Sequence, residues 1–431
     1  MIQEIASKAR QASIRTAALS AKEKNHALAA IAGTLRQQEK RIVAANQQDL
    51  AQAQKDHLNP ALLKRLKFDG AKLKGVIEGI ESLITLADPV GRTLSARQLD
   101  NGLELYQVSA PIGVLGIIFE SRPDALVQIS TLALKSGNAV LLKGGSEAIQ
   151  TNRALAEVIG EASERAGLPE GWMALLETRA DVHAMLALEG YIDLIIPRGS
   201  NAFVKYIMDH TRIPVLGHAD GICHVFIDRA ADLEKAVRIA YDSKCQYPAV
   251  CNAMETLLVD QAIASKFLPR IKAEYDKAGV ELRGDSRTQN IIEVKAADEQ
   301  DWKTEYNDLI LSIRVVDGLE AAIDHINTYS SHHTDAIVTE DSQAARQFLN
   351  RVDSADVFWN CSTRFADGFR YGLGAEVGIS TNKIHARGPV GLEGLVIYKW
   401  KLLGRGQIVA DYSGPQAKPF THKEMNKPCP L

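Results

Sequence analysis

The feature that most constrains the fold is an alternation of short apolar runs with longer helical stretches, which begins near Ile112. Strands that alternate with helices in this way favour βαβ units, in which helices cover a parallel sheet. A second series of the same kind begins near His224, includes a strand at 255–259 and runs to about residue 395. The chain is therefore predicted to be an α/β protein. The apolar runs of the first series are 113–119, 139–142 and 192–196.

The segments before these series have a different pattern. The first ninety residues are rich in Ala, Gln, Lys and Glu, and apolar residues such as Ile31, Leu35 and Ile42 recur at helical spacing, which predicts amphipathic helices. Between residues 92 and 109, two runs of alternating polarity flank Asn101-Gly102. Asn-Gly at this position favours a β-hairpin with a type I′ turn, in which both central residues have positive φ.

Composition excludes several classes of protein. The 431 residues are 46% hydrophobic and 24% charged, as in globular proteins of two or three domains. Fifty basic and 53 acidic side chains leave a net charge of −3, so neither nucleic acid nor a membrane surface is expected as a partner. The longest apolar stretch, 112–119, is too short to cross a bilayer. The N-terminus lacks the apolar core of a secretion signal, and five cysteines without a C-x-x-C pair favour a reducing, cytoplasmic location.

Two strand-to-helix junctions are candidates for binding a nucleotide. The first places Lys143, two glycines, Ser146 and Glu147 after a predicted strand, and the second places Gly199 and Ser200 after another. Glycines allow a ligand to approach the backbone, and the N–H groups at a helix N-terminus attract a phosphate. An ordinary β-to-α turn capped by serine explains the same residues, and this interpretation is preferred when each motif is taken alone. Neither junction is a G-x-G-x-x-G motif.

The segment 245–260 contains the strongest candidate for a nucleophile. Pro248 favours a loop there, and Cys251 lies in irregular backbone just before the predicted strand at 255–259. A thiol in this position can face a cleft, with its own backbone N–H and the Asn252 region close to a developing oxyanion. A small buried core residue is the alternative for Cys251, and it is the interpretation retained for the other cysteines. These are Cys223, Cys245, Cys361 and Cys429.

Three histidines and an aspartate superficially resemble a metal site. His325, His332, His333 and Asp335 do not follow H-E-x-x-H or a standard zinc spacing, and caps of a helix and a loop account for them more simply. No metal is predicted.

The chain resembles the γ-glutamyl phosphate reductases, a branch of the aldehyde dehydrogenase superfamily, from about residue 5 to about 405. The resemblance rests on P-I-G-V-L-G-I-I-F-E-S-R-P (111–123), S-G-N-A-V-L-L-K-G-G-S-E-A (136–148), Y-I-D-L-I-I-P-R-G-S (191–200) and V-C-N-A-M-E-T-L-L-V (250–259). Residues 316–337 and 371–393 contain two further blocks typical of this branch.

The resemblance implies roles for individual residues. The nucleophilic cysteine of the family falls on Cys251, its adenosine-ribose lysine on Lys143, and its nicotinamide-ribose glutamate near Glu305. Arg122 and Arg364 are candidates for binding a phosphate or carboxylate bidentately, with ordinary salt bridges as the alternative. The predicted catalytic residues are Cys251 and Asn252. The predicted cofactor-binding residues are Lys143, Gly144, Gly145, Ser146, Glu147, Gly199, Ser200 and Glu305. The predicted substrate-binding residues are Ser121, Arg122, Ser362, Thr363 and Arg364.

The activity that the resemblance implies is the NADPH-dependent reduction of L-glutamate 5-phosphate to L-glutamate 5-semialdehyde and phosphate through a cysteine thioester, in proline biosynthesis. Glutamate 5-kinase is then the expected supplier of the substrate. Hydrolytic aldehyde dehydrogenases carry E-L-G-G-K, whose glutamate activates water, whereas residues 215–221 read V-L-G-H-A-D-G. A reductase does not need that glutamate, because its thioester must receive hydride rather than water.

Several alternatives stay open at this stage. An NAD(P)-dependent semialdehyde dehydrogenase that produces a carboxylic acid would use the same cysteine, and an inactive member would act only as a binding protein. Lys143 and Ser146 suit the 2′-phosphate of NADPH, whereas Glu147 suits the bare ribose of NADH. His218 is either a proton donor or an ordinary loop residue, and Asp124 stands where asparagine is commoner in the family.

The resemblance also implies an architecture: two Rossmann-like α/β lobes of the aldehyde dehydrogenase kind with a β-hairpin oligomerisation flap. Residues 1–91 and 110–222 are predicted to form the cofactor-binding domain and 223–394 the catalytic domain. Residues 92–109 and 395–431 are predicted to form the flap and a C-terminal tail, so a homo-oligomer, either a dimer or a tetramer, is expected.

Overall fold

A computed structural model describes residues 2–120, 122–217, 220–373 and 376–430, without the side chains of Ala61 and Arg179. The helices are α1 Ile2–Thr16, α2 Ala21–Gln37, α3 Glu39–Lys55, α4 Pro60–Leu66, α5 Gly70–Thr85, α6 Pro123–Lys135, α7 Ile149–Arg165, α8 Arg179–Leu186, α9 Asn201–Asp209, α10 Leu233–Cys245, α11 Gln261–Ala278, α12 Ser286–Gln289, α13 Leu319–Tyr329 and α14 Ser342–Arg351. The strands are β1 Thr93–Asp100, β2 Leu103–Pro111, β3 Val114–Phe119, β4 Ala139–Lys143, β5 Met173–Leu176, β6 Leu194–Arg198, β7 Cys223–Ile227, β8 Met254–Asp260, β9 Glu281–Gly284, β10 Lys295–Ala296, β11 Ile310–Val316, β12 Thr334–Val338, β13 Asp356–Trp359, β14 Gly378–Ser380, β15 Gly388–Val390, β16 Val396–Leu403 and β17 Lys423–Glu424.

The first lobe is built on a four-stranded parallel sheet with the order β5-β4-β3-β6. Every residue of β3 and β4 is buried, as expected for strands covered on both faces. Side chains of β3 alternate between two cores: Leu115 and Ile117 pack with helices α2, α5, α6 and α7, whereas Val114 and Ile118 pack with α1, α8 and α9. The predicted amphipathic helices of the first ninety residues therefore form part of this lobe.

The second lobe is built on a seven-stranded sheet with the order β10-β9-β11-β8-β7-β12-β13, and all of its pairings are parallel. Val225 and Leu257 face the core formed with α10 and α11, and Phe226 and Leu258 face the core formed with α13 and α14. The predicted α/β class with two parallel-sheet lobes is thus confirmed.

The predicted hairpin is present and forms part of a third sheet. Strands β1 and β2 pair antiparallel, β16 adds to β2, and β17 adds to β1. The expected type I′ turn is wrong, because Gly102 has a φ of 71° but Asn101 is not among the residues with positive φ. The strands are instead adjusted by a bulge between Gln98 and Asp100.

Packing does not follow the predicted domain ranges everywhere, and those ranges remain a prediction. Val377, Val390, Leu392 and Leu395 pack into the core of the first lobe, although 223–394 was assigned to the catalytic domain. The chain therefore returns to the first lobe before it enters the third sheet.

The order of strands in the first lobe predicts where a ligand binds. The chain adds β4 and β5 on one side of β3 and then crosses to place β6 on the other side. Ligands of open α/β sheets bind outside the carboxyl ends of the strands at such a switch point. The loops that follow β3 and β6 are accordingly the first place to look for a site.

Candidate active site

The two lobes meet at a cleft with a volume of about 690 Å³. Its walls come from the carboxyl ends of β3 and β6 in the first lobe and from the loop before β8 in the second. Five of the predicted site residues line it together: Arg122, Gly199, Ser200, Cys251 and Glu305. Other polar residues in the walls are Arg65, Glu120, Arg198, Asn201, Tyr247, Asn307 and Glu376.

Cys251 is held on the loop between α10 and β8 and is partly exposed to the cleft. The backbone on the other side is Gly221, where an added Cβ would lie 2.3 Å from the Cys251 carbonyl oxygen and 2.4 Å from its Cα. The Cys223 thiol donates to the same carbonyl oxygen at 3.2 Å. The position of the nucleophile thus depends on the segment at the start of β7, which contacts the Cys251 backbone at both Gly221 and Cys223.

The environments of the other cysteines disfavour their thiolates. Burial raises the pKa of Cys245 to about 11, and it also raises the pKa of Cys223 and of Cys361. Because the thiolate is the nucleophile, these three groups are poorly suited to attack a carbonyl. Cys429 lies in the third sheet, where it packs on the cluster around Tyr106. These surroundings leave Cys251 as the candidate nucleophile.

A buried ion pair joins the two ends of the cysteine loop. The Lys244 ammonium group lies 2.6 Å from the Glu255 carboxylate, and neither side chain is exposed. Burial raises the pKa of Glu255 to about 7, although Lys244 opposes this shift, and burial lowers the pKa of Lys244. The backbone N–H of Asn307 donates to the other Glu255 oxygen at 3.2 Å, which ties the loop to the segment that carries Glu305.

Three arginines line the cleft, Arg65, Arg122 and Arg198, and only Arg122 was predicted from the sequence. Arg122 donates to Asp124 at 3.2 Å and has a half-exposed side chain. Arg198 is the last residue of β6, and only its motif neighbours Gly199 and Ser200 were predicted. Its position at the carboxyl end of a predicted strand could have indicated a site residue. A single arginine before Gly-Ser does not form a recognised binding motif, however, so the sequence alone did not select it.

Acidic groups occupy the side of the cleft next to β3 and β4. Burial and the nearby Glu147 raise the pKa of Glu120, and the backbone N–H of Ser200 donates to its carboxylate. The Asn201 amide donates to both Asp220, at 2.9 Å, and Glu305. Asn201 begins α9 in the first lobe, so Glu305 is held across the cleft by a contact between the lobes.

The other predicted cofactor residues follow β4, beside the cleft rather than in its walls. Lys143 is buried and its ammonium group donates to the Gly144 carbonyl oxygen. An added Cβ would lie 2.2 Å from the Asn152 amide at Gly144 and 2.0 Å from the Glu147 carboxylate at Gly145, so a larger residue at either position would displace one of these side chains. The remaining residues of this group are Ser146 and Glu147, which open the helical turn before α7.

Four further predicted residues, in the second lobe, also do not line the cleft. The Asn252 amide donates to the Ala366 carbonyl oxygen at 2.7 Å, so this side chain is directed away from the expected oxyanion. Ser362 lies 3.2 Å from the Ser243 hydroxyl, and the Thr363 N–H donates to that hydroxyl. Arg364 donates to Gln246 at 3.0 Å, and burial and Arg370 lower its pKa. Ser362, Thr363 and Arg364 therefore contact the end of α10 and its C-cap residue. Cys251 is among the charged groups that act on Arg364, and Ser362 lines a separate cavity of about 640 Å³.

Two further residues, Ser121 and His218, lie outside the described residues. Among the residues that the structure does describe, no cluster of His, Cys, Asp or Glu suitable for a metal ion is found. The histidines of the suspected cluster have hydrogen-bond partners. His325 contacts Arg314 at 2.8 Å, His332 the Asp353 carbonyl at 2.6 Å and His333 the Thr334 hydroxyl at 2.7 Å.

Two lobes with parallel sheets, a cysteine in the cleft between them and an antiparallel flap define the aldehyde dehydrogenase class of protein. The model of the aldehyde dehydrogenase family matches residues 1–301. The γ-glutamyl phosphate reductase of Pelotomaculum thermopropionicum is 62% identical over 424 residues and covers 98% of each chain, and that of Acetivibrio thermocellus is 61% identical and covers 100% of each chain. The crystal structure of the Thermotoga maritima γ-glutamyl phosphate reductase is 42% identical, with a TM-score of 0.92 over 94% of this chain and 99% of that chain. The chain belongs to the γ-glutamyl phosphate reductases of the aldehyde dehydrogenase family.

Proposed function

We propose that this protein reduces L-glutamate 5-phosphate to L-glutamate 5-semialdehyde and phosphate, with NADPH as the reductant, in proline biosynthesis. The observation that carries the proposal is the placement of Cys251 in one cleft with Arg122, Arg198 and Glu305, at the switch point of the first sheet. Membership of the γ-glutamyl phosphate reductases supports the choice of substrate.

The reaction begins at Cys251. Its sulfur forms a bond to the γ-carbonyl carbon while the bond from that carbon to the phosphate oxygen breaks, and the thiol proton leaves with the phosphate as HPO₄²⁻. A bound nicotinamide cofactor supplies the hydride that reduces the thioester. The thiohemiacetal on Cys251 then releases the aldehyde, and the thiolate takes up a proton. Negative charge develops on the carbonyl oxygen in both additions, so backbone N–H donors around Cys251 stabilise both.

The residues around the cleft fit a dinucleotide cofactor. The helix α9 has nine residues and begins at the cleft, with Gly199 and Ser200 before it, so its first N–H groups attract a pyrophosphate. Glu305, held by Asn201, is placed to accept hydrogen bonds from a ribose. Lys143 and Ser146 favour the 2′-phosphate of NADPH. The carboxylates of Glu120 and Glu147 favour the bare ribose of NADH. The ratio of kcat/KM for NADPH to kcat/KM for NADH measures which preference is stronger.

Three further expectations accompany this function. A kinase that makes acyl phosphates, such as glutamate 5-kinase, would supply the substrate in the cytoplasm. Within the described chain, no helix is both long enough and apolar enough to span a membrane. The third sheet is proposed as the surface through which the chain forms a homo-oligomer.

The test is the reverse reaction, with the semialdehyde, NADP⁺ and inorganic phosphate. We expect turnover only when phosphate is present. In the Cys251→Ser variant, kcat should fall at least about 1,000-fold because the nucleophile is lost. This variant should bind NADPH with the affinity of the wild type, since only the nucleophile changes. Cys429→Ser, in the third sheet, is the matched control and should retain full activity.

Other outcomes identify the alternatives. Turnover without phosphate, with formation of a carboxylic acid, would show a hydrolytic semialdehyde dehydrogenase. Cofactor binding with no turnover in the wild type would show an inactive binding protein. Full activity of Cys251→Ser would refute the assignment of the nucleophile.

A further inference from the structure

Arg122 and Arg198, two of the arginines that line the cleft, have different electrostatic surroundings. Arg122 follows β3 and Arg198 ends β6, and these neighbouring strands pair at Phe119 and Arg198. The Asp124 carboxylate lies 3.2 Å from the Arg122 guanidinium, and Lys72 lies 3.8 Å from the same carboxylate. Arg122 therefore has a carboxylate partner within the protein, which it shares with Lys72.

Arg198 has no such partner among the described residues. No carboxylate of that part of the chain lies within 4.0 Å of its guanidinium group, and the residues outside the description include no aspartate or glutamate. The carboxylates that act on it electrostatically are those of Glu376 and Asp124. Glu376 accepts a hydrogen bond from the Gly368 N–H at 2.8 Å, and Asp124 is engaged by Arg122.

The surroundings of Arg198 also disfavour an isolated positive charge. Burial, and after it the nearby Arg122, lowers the pKa of the Arg198 guanidinium, and Cys251 is among the groups that act on it. Arg198 is partly exposed to the cleft. A cation that is partly removed from water without a partner is unfavourable, and an anion that enters the cleft compensates it. A guanidinium fork matches the oxygens of a phosphate bidentately.

The structure assigns Arg198 as the principal ligand of the phosphoryl group of the acyl phosphate and of the phosphate that leaves, an inference that rests on the proposed function. The phosphoryl group is attached through one oxygen to the carbon that Cys251 attacks, so it must lie beside the cysteine. The α-carboxylate of glutamate lies four carbon–carbon bonds from that carbon, and thus farther from Cys251. As the carbon–oxygen bond breaks, charge collects on the phosphate oxygens, and Arg198 stabilises it there.

The experiment is the reverse reaction with inorganic phosphate as the variable substrate. Arg198→Met removes the charge at similar length, and we expect it to raise the KM for phosphate at least about tenfold, with the KM for semialdehyde and NADP⁺ unchanged. Arg198→Lys keeps the positive charge but lacks the guanidinium fork. Its KM for phosphate should lie between those of the wild type and Arg198→Met. Arg165→Met, on the exposed surface of α7, is the matched control and should leave all three constants unchanged.

A second measurement does not need turnover. At constant ionic strength, phosphate should slow the alkylation of Cys251 by iodoacetamide in the wild type, as measured on the Cys251 peptide, and this protection should weaken in Arg198→Met. An unchanged KM for phosphate together with unchanged protection would overturn the assignment, as would a rise in the KM for NADP⁺ alone. A larger effect of Arg122→Gln than of Arg198→Met would assign the phosphate to Arg122. If the wild type shows no turnover with phosphate, the proposed function fails, and the alkylation measurement still decides the role of Arg198.

Discussion

At the scale of single residues, Gly221 illustrates how closely the backbone surrounds the nucleophile. A methyl group there would lie 2.3 Å from the Cys251 carbonyl oxygen and 2.6 Å from its Cβ, so the cysteine loop must move to admit it. We expect Gly221→Ala to lower kcat/KM by about 100-fold, because a displacement of the nucleophile of about 1 Å has an effect of this size. Steady-state kinetics measure the loss, and equilibrium binding of NADPH shows whether the cofactor site remains intact.

Gly217→Ala is the matched control, because it lies four residues away in the same stretch. The added methyl group there meets Pro197 at 3.7 Å, which is an ordinary van der Waals contact. Activity of this variant should stay within about twofold of the wild type, since no atom has to move. Equal losses for the two variants would show that Gly221 has no special relation to Cys251.

At the scale of elements, the Lys244–Glu255 pair connects the end of α10 to the start of β8, on either side of the cysteine loop. Removal of one partner leaves an uncompensated buried charge, so we expect Lys244→Met or Glu255→Gln alone to lower the free energy of unfolding by about 3–5 kcal/mol. The double variant should be more stable than either single variant. Denaturant unfolding followed by fluorescence measures the double-mutant cycle.

The pair of Lys235 and Glu340 provides the comparison, since Lys235 is also on α10 and its ammonium group lies 2.6 Å from the carboxylate. Both of its side chains are substantially exposed, so water screens the charges and the coupling in the same cycle should be close to zero. Additive effects of Lys244→Met and Glu255→Gln on the free energy of unfolding would contradict a stabilising role of this ion pair.

At the scale of the whole molecule, the third sheet exposes an apolar surface at its edge. Strand β16 is an edge strand, and Tyr398, Trp400 and Leu402 on one of its faces are 53%, 55% and 56% exposed. Long exposed apolar edge strands favour association with another chain. We expect the double variant Tyr398→Ser/Trp400→Ser to shift the protein toward the monomer in sedimentation equilibrium.

Ile14→Ser is the control for this prediction, because Ile14 on α1 is 71% exposed and lies outside the third sheet. Its mass distribution should equal that of the wild type. A wild-type protein that is monomeric at micromolar concentration, or an oligomer that survives both β16 substitutions, would contradict the proposed interface.

Much of this protein is determined locally and could be predicted from its sequence. Continuous apolar runs such as those of β3 and β4 indicated buried strands because a strand covered on both faces has no polar side. Cys251 was selected because it precedes a strand in irregular backbone, and the cleft contains it. Arg122, Gly199 and Ser200 were predicted and line the same cleft, because they follow β3 and β6, whose carboxyl ends meet. Glu305, which the resemblance indicated, reaches the cleft from the loop before β11.

Only the tertiary structure decided how these segments approach one another. Arg198 differs from Arg122 because, among the described residues, no carboxylate lies within 4.0 Å of its guanidinium group, and the approach of a partner depends on residues far along the chain. Asn252 follows Cys251 directly, yet its amide is used by Ala366, 114 residues away. The roles of Gly221 and of the Lys244–Glu255 pair could not be predicted from local sequence either. The sequence pattern indicates only which residues can be buried, whereas steric limits and desolvation depend on what packs against each residue.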